Sequence, residues 1–243
     1  TAIINNLATT TINHQAMMNG DASISAARYT GTDLTTTLNL PPEKDPKKAF
    51  ATVKDEFEKR YDQTWFPSYG FENTYVFLVR KDTAQKYHLS KVSDLKNVAD
   101  ELVAGVDTSW INRKGDGYDG FQETYGFSFN SILPMQIGLV YDAVEAGKMD
   151  IVLGYSTDGR IASYDLVMLE DDRQFFPPYD AAPVVDNKVL ADTPHLKEAL
   201  NKLGHTISTE KMQELNYEAD NNLVEPSVVA QRFLQENHYF EGK

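Results

Sequence analysis

Several tyrosines of this chain stand at turns rather than on helix faces: Tyr29, Tyr69, Tyr155 and Tyr179, with Tyr75 opening an apolar run. Tyrosine rings gathered in a dry pocket can hold a cation. Each ring presents a negative face, and each face attracts a positive charge by roughly 0.5–2 kcal/mol. A quaternary ammonium group suits such a pocket because it has no N–H to satisfy; a lysine-like ammonium still needs acceptors. For any one tyrosine the alternative stands that it buries its ring and keeps its hydroxyl wet. Tyr29 and Tyr155 carry more weight together, because they occupy equivalent points of a repeated unit. In Gly20-Asp-Ala-Ser-Ile-Ser-Ala-Ala-Arg-Tyr29 and in Gly147-Lys-Met-Asp-Ile-Val-Leu-Gly-Tyr155 a helix-like run ends at glycine, a short strand follows, and a tyrosine closes it. Small hydroxyl and glycine residues come next in both, and the ends of strands are where open α/β sheets place ligands. Thr32, after the first tyrosine, either caps the following helix or donates to a ligand carboxylate. Arg160, after the second, pairs with a carboxylate of the ligand, with Asp158 or with an acid across a cleft.

Other chemistries find less support. His14, His88, His195, His205 and His238 are scattered, with neither HxH nor HExxH spacing, so no zinc site is expected. Lys114-Gly-Asp-Gly-Tyr-Asp-Gly120 is rich in Gly and Asp but fits no standard calcium loop. There is no GxGxxG, no phosphate-binding loop and no Gly-x-Ser-x-Gly elbow. The acids Glu170, Asp171 and Asp172 read as a solvated face, with two-carboxylate glycoside chemistry as the catalytic alternative. No cofactor and no metal is expected.

The elements that must position these residues alternate between strand and helix, which argues an α/β fold. Strands are expected over 1–7, 22–27, 74–80, 102–106, 151–154, 163–169 and 181–185. Helices are expected over 12–18, 34–38 (capped by Thr32 or Asp33), from Asp45-Pro46 through Tyr61, over 89–98, near 121–125, and over 135–146, 194–203, 210–219 and 228–235. The last three carry Thr193, Ser208 and Ser227 as caps. Two lobes account for this pattern better than one continuous sheet, with the chain crossing at the apolar runs 74–80 and 181–185.

Composition narrows the partners. The 243 residues are 41% hydrophobic and 24% charged, enough for one large domain or two lobes. A net charge of -13 argues against nucleic acid or an anionic membrane surface as partner. The absence of cysteine removes disulfides and thiolate chemistry. No apolar run is long enough to span a bilayer, and no signal peptide is visible. Because the chain opens directly on an apolar run, a targeting or anchoring segment is expected upstream.

Six segments stand in an order that resembles a known family: Tyr29-Thr-Gly-Thr32, Phe71-Glu-Asn-Thr-Tyr75, Gly117-Tyr-Asp-Gly120, Tyr155-Ser-Thr-Asp-Gly-Arg160, Leu169-Glu-Asp-Asp172 and Phe175-Phe-Pro-Pro-Tyr179. Together they look like the osmoprotectant-binding proteins of bacterial ABC importers, the glycine betaine/carnitine/choline type. The resemblance implies a two-lobed periplasmic-binding-protein fold of the second topological type, with lobe I formed by 1–75 and 178–243 and lobe II by 76–177. It implies no catalysis. It implies a cage of four tyrosines around a trimethylammonium head at Tyr29, Tyr75, Tyr155 and Tyr179, with Thr32 at the ligand's polar tail. Relatives restricted to choline look to have Asp at the position of Thr32, where a carboxylate would repel that of betaine; Thr32 therefore favours betaine-like zwitterions or a broad range. Family members begin with a further strand and helix, which supply a ligand-contacting glutamine, and this sequence starts after them. The expected partners are a small quaternary-ammonium ligand and an ABC permease. The expected location is the extracellular face of the membrane or the periplasm, with anchoring by a lipid or a permease fusion upstream. Three rivals stay open: the same fold with a polyamine or cationic amino acid, an acid/base hydrolase, and an interaction module with a degenerate pocket.

Overall fold

The computed structural model describes residues 2–4, 7, 9–113 and 115–239. In chain order the elements are α1 (Thr10–Met18), β1 (Ile24–Tyr29), α2 (Thr30–Thr32), a π-helical turn (Asp33–Thr37), α3 (Pro46–Tyr61), β2 (Gln63–Trp65), β3 (Tyr75–Arg80), α4 (Lys81–Tyr87), a 3₁₀ turn (Val92–Asn97), β4 (Val103–Asp107), α5 (Thr108–Ile111), α6 (Tyr118–Tyr125), β5 (Ser131–Met135), α7 (Ile137–Glu145), β6 (Ile151–Tyr155), α8 (Arg160–Ser163), β7 (Leu166–Met168), β8 (Ala181–Asp186), α9 (Asn187–Asp192), α10 (Pro194–Asn201), α11 (Thr209–Asp220) and α12 (Pro226–Glu236). The strand expected over 1–7 falls partly outside the described residues, and 2–4 and 7 carry no regular element. The chain forms two compact units, one of Thr1–Asn73 with Pro177–Thr209, the other of Thr74–Phe176 with Glu210–Lys243.

The first unit is built on a three-stranded antiparallel sheet in the order β1-β8-β2. The helix α3 covers it. Asp45 caps that helix by accepting from the amides of Lys47 and Lys48 at 2.9 and 3.3 Å, and Pro46 occupies its first turn. Ala49, Val53 and Phe57 fall on its buried face and pack with Trp65, Ala182 and Val184. The helix stops where Asp62 turns left-handed at φ 55°.

Beneath this layer lies a buried ion pair. Arg28 is 1% and Asp33 0% exposed. Arg28 Nε donates to Asp33 Oδ2 at 2.8 Å, and Nη2 donates to Asp33 Oδ1 and to Thr37 Oγ1. The Thr37 hydroxyl donates to Asp33 Oδ1 at 2.6 Å, and the Arg28 guanidinium lies 5.4 Å from the centre of the Phe57 ring. Neither Thr32 nor Asp33 caps a helix here, contrary to the sequence expectation; the Asp33 carboxylate is turned inward to Arg28, and residues 33–37 wind as a π turn around it.

The second unit holds a five-stranded mixed sheet in the order β5-β4-β6-β3-β7. β4 runs parallel to β5 and β6, and β3 runs antiparallel to β6 and β7. Both faces are covered. Phe77, Val79, Ile151 and Leu153 point into an aromatic core with Trp110, Phe121 and Phe176, while Leu78 and Val152 point to the other face, under Val140, Tyr141 and Val144 of α7. β5 was missed by the hydrophobic pattern, which extended the next helix back to Met135; Pro134 fits there because β5 is an edge strand. Residues 210–243 group with this unit, whereas the expected division placed them with the first lobe. The reason is local: Gln213 Nε2 donates to the Ser156 carbonyl at 2.6 Å, Asn216 Nδ2 donates to the Thr157 carbonyl at 2.8 Å, and a Cβ on Gly159 would meet Tyr217 Cα at 2.5 Å. Ser227 sits inside the first turn of α12 rather than capping it.

The Arg28–Asp33 pair gives the first test. Asp33→Ala leaves a guanidinium buried without its counter-charge, and chemical denaturation should show a loss of about 3–5 kcal/mol. The apolar double replacement Arg28→Met with Asp33→Leu should lose much less. Equal losses would show that the pair is not the source of the effect.

Candidate functional site

In the first unit the segment from Tyr29 to Thr32 is fastened to the segment from Pro178 to Asp180. Tyr29 ends β1 opposite Ala181. The Thr30 amide donates to the Asp180 carbonyl at 3.2 Å, and the Pro178 carbonyl accepts from the Gly31 amide at 3.0 Å and the Thr30 hydroxyl at 3.0 Å. Gly31 has to be glycine for this approach: an added Cβ would lie 2.6 Å from the Pro178 oxygen and 3.2 Å from the Tyr179 ring. Tyr29, Thr32 and Tyr179 are thus brought together in one place. Tyr179 is buried, while Tyr29 and Thr32 are half-buried. The Thr32 carbonyl accepts from the Thr35 and Thr36 hydroxyls, but among the described residues its own hydroxyl makes no capping bond. Tyr69, also singled out by its position at a turn, donates its hydroxyl to the Ala26 carbonyl at 2.6 Å and stacks on Phe71. Burial, with Tyr29 adjacent, pushes the Tyr69 phenol up to about 12. Burial also raises the phenol of Tyr29, against the pull of a hydrogen bond with the Asn73 side chain.

In the second unit the register of β3 on β6 sets Tyr75 directly opposite Tyr155. Their ring centres are 5.1 Å apart, and the Phe176 ring centre lies 5.7 Å from that of Tyr75. The Tyr75 hydroxyl donates to Asp107 Oδ2 at 2.9 Å. Burial first, then the neighbouring Tyr155 and the Asp107 carboxylate, hold the Tyr75 phenol protonated far into the alkaline range. Tyr155 is held from behind: its amide donates to the hydroxyl of Tyr141 at 2.7 Å. Gly154 makes room for that contact, since a Cβ there would sit 2.8 Å from Tyr141 Oη and 2.9 Å from Leu78 Cδ1.

Arg160 is committed within its own unit. Its Nε and Nη2 donate to the two carboxylate oxygens of Asp158 at 3.0 and 2.8 Å, Nη1 donates to the Gly138 carbonyl at 2.7 Å, and the guanidinium lies 4.2 Å from the centre of the Tyr141 ring. Of the partners considered from the sequence, Asp158 is the one it meets. The acidic run is not simply solvated. Asp171 accepts from the amides of Phe175 and Phe176, both at 2.9 Å, and from the Tyr125 hydroxyl, so it shapes the turn that carries Phe176 against Tyr75. In the Gly/Asp-rich loop, where Lys114 lies outside the described residues, Asp116 pairs with Arg113 at 2.7 Å and its carbonyl accepts from Trp110 Nε1. Among the described residues no three His, Asp or Glu side chains gather as a metal site would require.

Sequence reasoning missed Asp107, Tyr141 and the Arg28–Asp33 pair. An acid directly after the buried run 102–106 was the one available signal for Asp107.

Residues 1–236 match the family described as the substrate binding domain of the ABC-type glycine betaine transport system. The chain belongs to that family. It is 58% identical over 241 residues to the carnitine transport binding protein OpuCC of Listeria monocytogenes, covering 99% of this chain and 78% of the relative. It is 34% identical to an ergothioneine transport permease/ergothioneine binding protein of Helicobacter pylori, covering 91% of this chain and 39% of that longer one. Among solved structures, one of a glycine betaine/carnitine/choline ABC transporter superposes with a TM-score of 0.94 at 57% identity, over 98% of this chain and 87% of the other. The fold is therefore the α/β periplasmic-binding-protein fold of the second topological type.

Two glycines test how the tyrosines are held. Gly154→Ala should displace Tyr141 and misplace Tyr155, and Gly31→Ala should push Tyr179 from Tyr29. Both variants are expected to fold, with near-ultraviolet circular dichroism altered in the tyrosine region. Spectra identical to the parent would mean that neither contact sets the ring positions.

Proposed function

We propose that this chain is the solute-capturing receptor of an ABC importer and that its ligand is a compatible solute ending in a trimethylammonium group. Carnitine, glycine betaine, choline and ergothioneine, named for its relatives, all carry that group, and what they share is the head that a set of aromatic faces recognises. The observation that carries the reading is the cross-strand pair of Tyr75 and Tyr155, with ring centres 5.1 Å apart, in a chain of this family. Tyr29 and Tyr179 supply the remaining faces. Thr32, whose hydroxyl is not used as a cap, takes the polar tail of the ligand. Arg160 acts from behind: locked to Asp158 and stacked on Tyr141, it braces the residue that holds Tyr155.

The receptor carries out no chemistry in this reading. It delivers its ligand to a permease at the extracellular face of the membrane or in the periplasm.

Calorimetry with glycine betaine, carnitine, choline and proline betaine tests the assignment. At least one should give saturable heat. Tyr155→Ala should then weaken that ligand by roughly 0.5–2 kcal/mol, about 2- to 30-fold. Thr32→Asp should move preference from betaine toward choline, because a carboxylate there repels the ligand's own. No heat with any of the four ligands would sink the assignment; a Tyr155→Ala variant that binds as tightly as the parent would instead favour a cation held by acids.

A further inference from the structure

We propose that Asp107 sets the site's preference for a permanently charged head group, by fixing the Tyr75 ring and by holding a negative charge behind it. The proposal rests on the reading of Tyr75 as one wall of the cation site. Tyr75, Tyr155 and Asp107 lie at one edge of three adjacent strands: Tyr75 begins β3, Tyr155 ends β6, and Asp107 ends β4, which runs parallel to β6 on its other side. The Tyr75 hydroxyl reaches past Tyr155 to Asp107 Oδ2 at 2.9 Å.

Among the described residues the Tyr75 hydroxyl is the one side chain seen to bond this carboxylate. Asp107 is 4% exposed, so its burial carries a desolvation cost. It stands at the N-cap position of α5, yet its side chain makes no capping bond. Among the described residues it forms no ion pair within 4.0 Å. The nearby cation is Arg113, whose guanidinium faces the Tyr75 ring at 5.7 Å from its centre and is ion-paired with Asp116. Among the described residues Asp107 is thus a buried carboxylate bonded to the Tyr75 hydroxyl, while the guanidinium facing that ring is ion-paired with Asp116.

That charge acts on a cation in two ways. A phenol donating to a carboxylate is polarised, which makes its ring face more negative and a better cation partner. The carboxylate also attracts the ligand's charge directly across a poorly screened interior. A neutral head of the same shape gains from neither, so Asp107 adds to the discrimination that the ring faces already make between an ammonium and its carbon isostere.

The test uses the full chain and two ligands of the same shape: glycine betaine, and tert-butylacetate, in which carbon replaces the charged nitrogen. Asp107→Asn keeps a carbonyl to accept from the Tyr75 hydroxyl but removes the charge. Its glycine betaine affinity should fall about tenfold, the scale of a unit charge at this range and effective dielectric, while tert-butylacetate is not weakened. The ratio of the two affinities is the readout, and Asp107→Glu should restore part of it. An unchanged ratio overturns the proposal, whether both affinities fall together, as for a purely structural role, or neither falls. If thermal melting shows that Asp107→Asn does not fold, Asp107→Ser, which also removes the charge, should lower the same ratio, and an unchanged ratio there overturns the proposal equally. A parent protein that binds no quaternary ammonium at all defeats the underlying cage reading, a result distinct from an unchanged ratio in a parent that binds.

Discussion

A fully methylated ammonium offers no hydrogen to donate and sheds its water only for something that welcomes charge without accepting a bond. Aromatic faces do this, but only at van der Waals range and only if several rings are already in place when the ligand arrives. The demand on the protein is therefore positional. In the second unit sheet register supplies such positioning for one pair of rings: because β3 runs antiparallel to β6 with Tyr75 opposite Tyr155, the two are neighbours by backbone geometry before any side chain chooses a rotamer. A slip of β3 by one residue in that pairing would put Tyr75 on the face opposite Tyr155.

What surrounds these rings reads as a set of devices that deny them alternatives. Tyr141 holds the amide of Tyr155, Gly154 clears the space for it, and Arg160 stacks on Tyr141 while gripped by Asp158. Asp171 gathers the amides of Phe175 and Phe176 and so aims Phe176 at Tyr75. In the first unit the buried Arg28–Asp33 pair brackets the turn between Tyr29 and Thr32, and the Pro178 carbonyl fastens that turn to Tyr179. These devices take polar or charged groups wholly or partly out of water and give them specific partners, which costs stability and fixes geometry.

Much of this was legible in the chain. The runs that became β1, β3, β4, β6 and β8 announced themselves by apolar length, and Asp45-Pro46 announced α3. The placing of Tyr29 and Tyr155 at strand ends followed from the repeated glycine-strand-tyrosine unit, and the order of six short motifs carried the family. What was not legible depended on partners far away in sequence. β2 is only three residues long, and β5 contains a proline tolerated only at an edge. Asp33 has the composition of a helix cap, and only the presence of Arg28 in the core turns it inward. Asp171 looked like one acid among three until the amides it collects were in place. The helices after residue 209 show amphipathic faces, but an apolar stripe does not say which unit it covers; that was decided by Gln213 and Asn216 finding the carbonyls of Ser156 and Thr157.

The central claim, that aromatic faces surround a methylated cation, is tested most directly by the proton chemical shift of the ligand's N-methyl groups in the bound state. Rings stacked on those methyls must shift their resonance upfield by ring currents, and the account predicts a clear upfield displacement for bound glycine betaine or carnitine, with nuclear Overhauser contacts from the methyls to tyrosine ring protons. Saturable binding with an unshifted methyl resonance and no such contacts would contradict it.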